Sequence, residues 1–252
     1  MPADSDPPRP GPFASSPPAS PTELADLRLL HLADTALPVG SLAHSFGLES
    51  LVVNEILDVN GLFGFLRGYL EEAGAMEGTF CRAAFRLAVD SSRAFAVERW
   101  LDLNIRLGAL KPARESRAGS AALGRNFLTT VLALGEVPVL REALESARKP
   151  PATAIHHSLA FGLVSGALGF DEDRAVLAYL HQSAANLVSA CQRLLPLGQT
   201  DAARILWNLK PVMIETAARS ATSDPESVSC FMPLLDCGAM EHPALSTRLF
   251  VS

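Results

Sequence analysis

The chain has 252 residues, a formal net charge of −6 and 48% hydrophobic residues, yet only 19% charged ones, where a soluble domain carries about 25%. The acidic balance, with no basic stripe, excludes ordinary nucleic-acid binding. Two readings remain: a membrane protein, or a globular chain whose exposed apolar area is covered by partners. The basic residues are 18 Arg against three Lys (Lys111, Lys149, Lys210). Arg is the less hydrated of the two and is favoured at interfaces, so the imbalance leans toward partners.

Residues 1–21 hold eight of the 18 prolines, with Ser and Ala between them and no apolar core of a secretory signal. Such a stretch buries too little to offset its ordering entropy, and it reads as a disordered tail. The remainder, 22–252, is long enough for a single domain with one large core. Ser20-Pro21-Thr22-Glu23 has the form of a capping box with Pro at the first helical position. Leu24, Leu27, Leu30 and Leu37 follow at helical spacing, and Leu37-Pro38-Val39-Gly40 suits a type I turn.

From Asp58 to Leu134 the pattern stays helical, with breaks expected at Gly74, at Ser91-Ser92 and at Lys111-Pro112. Pro138 and Pro150-Pro151 punctuate the next pieces. Residues 150–170 carry no formal charge and contain Gly162-Leu163-Val164-Ser165-Gly166, so a membrane span must be weighed. Two leading prolines, two adjacent histidines and short apolar stretches oppose it, since a span wants about 20 predominantly apolar residues. A buried helix whose small face admits a neighbouring backbone is the better account. His156 and His157, as neighbours on a helix, point about 100° apart and form no chelating pair. Between Asp173 and Leu195 a seam of Val176, Leu180, Ala184, Leu187, Cys191 and Leu194 marks the clearest helix. No stretch alternates as a strand does. The expected fold is all-α, a single globular domain of about ten helices.

Recognisable chemistry is absent. No lysine follows a glycine, so there is no phosphate loop, and no dinucleotide fingerprint, zincin motif or nucleophile elbow occurs. A nucleotide used in this protein's task would be bound by another chain. Glu71-Glu72 and Asp171-Glu172-Asp173 read as solvated helix ends rather than paired catalytic carboxylates. Cys81, Cys191, Cys230 and Cys237 have no framework spacing and read as free thiols of a reducing cytoplasm. Cys230, Cys237 and His242, in a tail expected to be irregular, offer a soft donor set for nickel or zinc without a distinctive spacing.

The segment 32–49, with Asp34, Pro38-Val39-Gly40, His44-Ser45-Phe46-Gly47 and Leu48-Glu49, resembles the signature of the urease accessory protein family UreF. Three further stretches fit the same family in order: residues 123–128, residues 186–201 with Gly198-Gln199-Thr200-Asp201, and residues 240–250 with Met240-Glu241-His242 and Arg248-Leu249-Phe250. The resemblance implies an all-α, dimerising, non-enzymatic scaffold that binds the accessory protein UreD (also called UreH). With it, the scaffold recruits the GTPase UreG for GTP-dependent nickel delivery to apo-urease. It implies no cofactor on this chain, a C-terminal segment (about 230–252) that docks on the UreD/UreH partner, and a route for nickel through that pair. The sequence departs from the family at Leu42, where an aromatic is usual, at Ala202 and Ala203 in place of Gly-Gln, and at Ser246 and Thr247 before Arg248.

The implied partner-facing residues each have a plainer alternative. Asp34, Pro38 and Gly40 can simply end a helix and shape a turn, with His44, Ser45, Phe46 and Glu49 following. Gly47 allows a backbone to approach closely. Gln199, Thr200 and Asp201 can cap the next helix. Met240, His242, Arg248, Leu249 and Phe250 lie in a terminal segment, where an Arg and apolar anchors suit a binding hot spot.

Overall fold

Twelve α-helices and no strand make up the described residues of the computed structural model, which are 20–90 and 95–252. Residues 1–19 of the tail expected at 1–21, and the break expected at Ser91-Ser92, lie outside the described residues. Helix α1 (Pro21–Leu32) starts as its sequence requires: the Glu23 carboxylate accepts the Ser20 N–H at 3.0 Å. Ser20 and Pro21 therefore belong to the ordered domain. The inward face of α1 is not the one its leucine spacing suggests. Leu29 and Leu32 are buried, whereas Leu24, Leu27 and Leu30 face outward.

After α1, the Asp34 carboxylate accepts the Ala36 N–H at 2.8 Å, and the Leu37 N–H donates to the Asp34 carbonyl at 3.1 Å. Pro38 and Val39 form the turn, and Gly40, at φ 88°, leaves it into a short 3-10 turn (Ser41–Ala43). Helix α2 (Leu48–Val53) comes next. Helices α3 (Leu62–Tyr69) and α4 (Ala75–Val89) are not separated by a break at Gly74; the π-helical turn Leu70–Gly74 joins them into one rod. A Cβ on Gly74 would lie 3.3 Å from a Leu180 methyl, so the glycine serves packing rather than termination.

Helices α5 (Val97–Ala109) and α6 (Arg114–Leu134) part at Lys111-Pro112 as expected, and Pro138 opens α7 (Pro138–Arg148). The centre of the molecule is α8 (His157–Ala167), buried over nearly its whole length. Its two glycines lie against the backbone of α4: a Cβ on Gly162 would come 2.0 Å from the Cys81 carbonyl oxygen, and one on Gly166 2.4 Å from that of Phe85. The small face is thus occupied by a helix of the same core. No described helix is long and apolar enough to cross a membrane.

Helix α9 (Glu172–Leu194) carries the expected seam, with Val176, Leu180, Ala184, Leu187 and Cys191 buried, and Asp171 caps it by accepting the Arg174 N–H at 2.9 Å. Helices α10 (Gln199–Asn208) and α11 (Lys210–Thr222) follow almost without interruption. Buried Arg82 of α4 binds Asp173 at 2.7 Å, Ser220 Oγ at 2.9 Å and the Ala217 carbonyl at 3.0 Å, tying three helices together. Finally, α12 (Pro233–Glu241) and a 3-10 turn (His242–Ala244) stand where an irregular tail was expected.

His156 caps α8 and His157 is its first residue; both are buried. Burial pulls each imidazole down to about 4, so both stay neutral while folded. In the unfolded chain they take up protons below about 6.5. The unfolded state therefore binds more protons between pH 6.5 and 4, and stability must fall as pH falls through that window. Urea melts at pH 7.5, 6 and 4.5 are expected to show a steadily lower midpoint. His157→Phe, which removes one of the two groups, should flatten the trend.

Candidate functional site

Two of the motif stretches, about 200 residues apart in the chain, meet in space. Residues 42–49 form a receptor, and the segment after α12 lies in it. The Glu49 side chain, buried at the second position of α2, is the centre of the arrangement. Its carboxylate accepts the Leu249 N–H at 2.6 Å and the Phe250 N–H at 3.2 Å, and it faces His242 Nε2 at 2.8 Å. His242 Nδ1 lies 2.6 Å from Glu115 on α6, whose other oxygen is 3.4 Å from the exposed Arg248 guanidinium. Burial alone would push the Glu49 carboxyl up, but the Leu249 N–H, His242 and the Phe250 N–H outweigh it and hold Glu49 below the usual carboxylate range.

Past Phe250 the chain keeps its grip. The Val251 N–H donates to the Ala43 carbonyl at 2.9 Å. The Ser252 main-chain oxygen accepts from the Ser45 N–H at 2.5 Å, the Phe46 N–H at 3.1 Å and Ser45 Oγ at 3.0 Å. His44 Nδ1 meets Ser252 Oγ at 2.7 Å. The successive Ser45 and Phe46 N–H groups thus form a small nest around one oxygen, just where positive φ values at Phe46 (53°) and Gly47 (98°) turn the chain. Gly47 has no alternative: a Cβ there would sit 2.6 Å from the Ala239 nitrogen. The close backbone approach expected of Gly47 is thus made by α12 of the same chain.

A third motif stretch supports the receptor. The Asn126 amide donates to the Val39 carbonyl at 3.1 Å, and Gly124 lets α6 press on the Ile155 carbonyl. Arg193, at the end of α9, donates to the Leu42 carbonyl at 2.6 Å and lies 4.2 Å over the Phe250 ring. Arg193 and Glu115 carry no signal in the sequence beyond their charge. Gly119 has none either, although a Cβ there would come 3.0 Å from both His44 and Ser252.

The comparisons with known proteins decide the family. The UreF family model matches residues 56–210. Urease accessory protein UreF of Corynebacterium glutamicum (strain R) is 32% identical over 229 residues, covering 90% of this chain and 98% of its own length. The protein of the same name from Rhodopseudomonas palustris (strain BisA53) is 34% identical over 234 residues, covering 89% and 92%. The chain belongs to the UreF family.

Within that family frame, the site residues divide by exposure. His44, Ser45, Gly47, Glu49, His242 and Phe250 are buried and bonded within the chain, so their first task is to hold the C-terminal segment. Asp34, Pro38 and Gly40 lie at the surface of the turn they shape, and Phe46 is half-buried. Met240, Arg248, Leu249 and Val251 are exposed, as is Leu42. Gln199, Thr200 and Asp201 stand apart on the exposed first turn of α10, where Gly198 rather than Asp201 takes the capping position and Asp201 pairs with Arg204. Cys230, Cys237 and His242 do not form a ligand set: both His242 ring nitrogens are engaged by carboxylates, and among the described residues no group of three His, Cys, Asp or Glu is placed to hold a metal ion.

Proposed function

We propose that this chain is a scaffold of urease maturation without chemistry of its own. In this reading it binds UreD/UreH, recruits the GTPase UreG, and supports GTP-dependent nickel insertion into apo-urease. It works in the cytoplasm, as a homodimer within the complex, with GTP held by UreG and no resident cofactor on this chain. Family membership supports the pathway. The observation that carries the docking role is the clasp around Glu49, which holds the 240–252 segment while Met240, Leu249, Val251 and Arg248 stay exposed to solvent. Large apolar side chains held outward on an ordered backbone are what a binding surface needs and what a purely structural tail would avoid.

The docking role is tested by co-purification with UreD/UreH. Deleting residues 240–252 is expected to abolish capture, and Arg248→Ala to weaken it by roughly ten-fold, as loss of an interface hot spot does. Undiminished capture by the truncated chain would remove the docking role. The alternative, nickel carriage through Cys230, Cys237 and His242, finds no support in the geometry, because the His242 ring offers no free nitrogen.

A further inference from the structure

Away from the clasp, an open cavity of about 490 Å³ lies between the end of α5, the start of α6 and the residues that lead into α8. Its walls are mostly apolar. Ile105 and Ala109 come from α5, and Pro151, Ala152 and Ala154 from the segment before α8. Ile105 is 61% exposed, although Trp100, Leu103 and Leu107 of the same helix are buried. The lining contains one charged side chain, Arg117, and no carboxylate.

Arg117 is placed for an anion. Its Nη1 donates to the Lys111 carbonyl at 2.5 Å and to the Pro112 carbonyl at 3.2 Å, which fixes the guanidinium without neutralising it. His156 supplies a second donor. Ser120 Oγ accepts the His157 N–H at 3.4 Å and faces His156 Nδ1 at 3.2 Å. The hydroxyl proton therefore goes to Nδ1, and the ring, neutral while folded, carries its own proton on Nε2. Nε2 is buried without a protein partner, whereas buried polar groups are nearly always paired. It lies beside Gly108, where a Cβ would come 3.0 Å from Nε2 and 4.0 Å from Arg117 Cδ. Gly108 thus leaves room at the corner where the two donors converge. The N-terminus of α8 begins at the same point and adds its positive end.

An unpaired N–H, a guanidinium held only by neutral carbonyls and a helix N-terminus around one apolar-walled cavity suit carboxylate oxygens. A phosphate would bring a further oxygen and a second charge to a site with one cation. We propose that this cavity binds a small carboxylate, its oxygens held by Arg117 and His156 Nε2 and its apolar body laid against Ile105 and Pro151. The site shares no lining residue with the Glu49 clasp and stands independently of the docking reading.

The test is NMR of the full chain at low ionic strength, reading backbone amide and Arg Nε–H shifts. Titration with butyrate is expected to give saturable shifts confined to Gly108, Arg117 and residues 152–157, and butyramide, its neutral isostere, to give none. Arg117→Gln should weaken butyrate binding by roughly ten-fold, as loss of a charge-assisted hydrogen bond does. Gly108→Ala, which fills the corner, should weaken it comparably. An acetylated, amidated glutamate separates the two sources of a carboxylate. Tighter binding of butyrate assigns the site to a free small molecule, and tighter binding of the glutamate to an acidic side chain of another protein; either supports the site. Absence of saturable shifts with both acids overturns it. So do equal shifts with butyramide, or wild-type affinity in both variants, because those patterns mark apolar uptake without carboxylate recognition.

Discussion

Gly162→Ala is expected to cost about 3 kcal/mol or more and to lower the thermal midpoint by roughly 6–12 °C. The added methyl would lie 2.0 Å from the Cys81 carbonyl oxygen and 2.8 Å from its carbon. Both are backbone atoms inside α4, so no flexible side chain can move away, and the two central helices must separate along their length. Interiors packed this closely resist such a shift. Gly64→Ala is the matched control. Gly64 is helical and exposed, and a Cβ there meets nothing within 4 Å. Its replacement should be neutral or stabilise by up to about 1 kcal/mol. Differential scanning calorimetry on the two variants tests the asymmetry, and equal midpoints would contradict the close packing of α4 on α8.

The second large effect is expected from Glu49→Ala. It removes the acceptor for the Leu249 and Phe250 N–H groups and leaves buried His242 facing Glu115 alone. Stranding the buried N–H groups that this carboxylate accepts costs about 1–3 kcal/mol each if the rest of the structure stays in place. The C-terminal segment buries one large aromatic, Phe250, and exposes Leu249 and Val251, so its docking is worth less than that penalty. The segment should therefore detach rather than the domain unfold. Amide hydrogen exchange is expected to rise sharply at Leu249 and Phe250 while the α4 and α8 amides keep their protection. UreD/UreH capture should fall with it under the proposed docking role. Glu49→Gln keeps the acceptor toward the Leu249 N–H and should show an intermediate effect. The folded Glu49 carboxyl titrates below its ordinary value, so the clasp's contribution is complete above the ordinary carboxylate pKa. It is lost as pH falls through the depressed one.

Much of the helical fold can be read from spacing and punctuation. The capping residues at Ser20 and Asp171, the prolines at 138 and 150–151, and the small face at Gly162 and Gly166 are local signals with local causes. Helix α1 shows where such signals stop. With Leu at positions 24, 27, 29, 30 and 32, apolar residues occupy most of its circumference, and spacing alone cannot choose the buried side. Tertiary contacts choose Leu29 and Leu32. Gly74 misleads in the other direction, because a glycine that makes room for Leu180 looks the same in sequence as one that ends a helix.

The site was legible only as separate pieces. The four motif stretches place Glu49 and His242 in view, but their meeting depends on a pairing across 193 residues. The third member of the cluster, Glu115, sits in no motif at all. The charge of Arg193 suits the C-terminal end of α9, which accounts for its place on the helix but not for its contact with the Phe250 ring. Long-range complementarity of this kind leaves no periodicity behind.

The clasp also sets an order of events. Glu49 leaves the ribosome 200 residues before the amide it will hold, and the nest at Ser45 and Phe46 waits equally long for Ser252. Domains are built from the N-terminus as synthesis proceeds, so the helical core can assemble while the receptor is still vacant. The ordered 240–252 segment cannot be seated before translation has passed it. Under the proposed docking role, partner capture is therefore a post-translational step, reserved for chains that carry this segment intact.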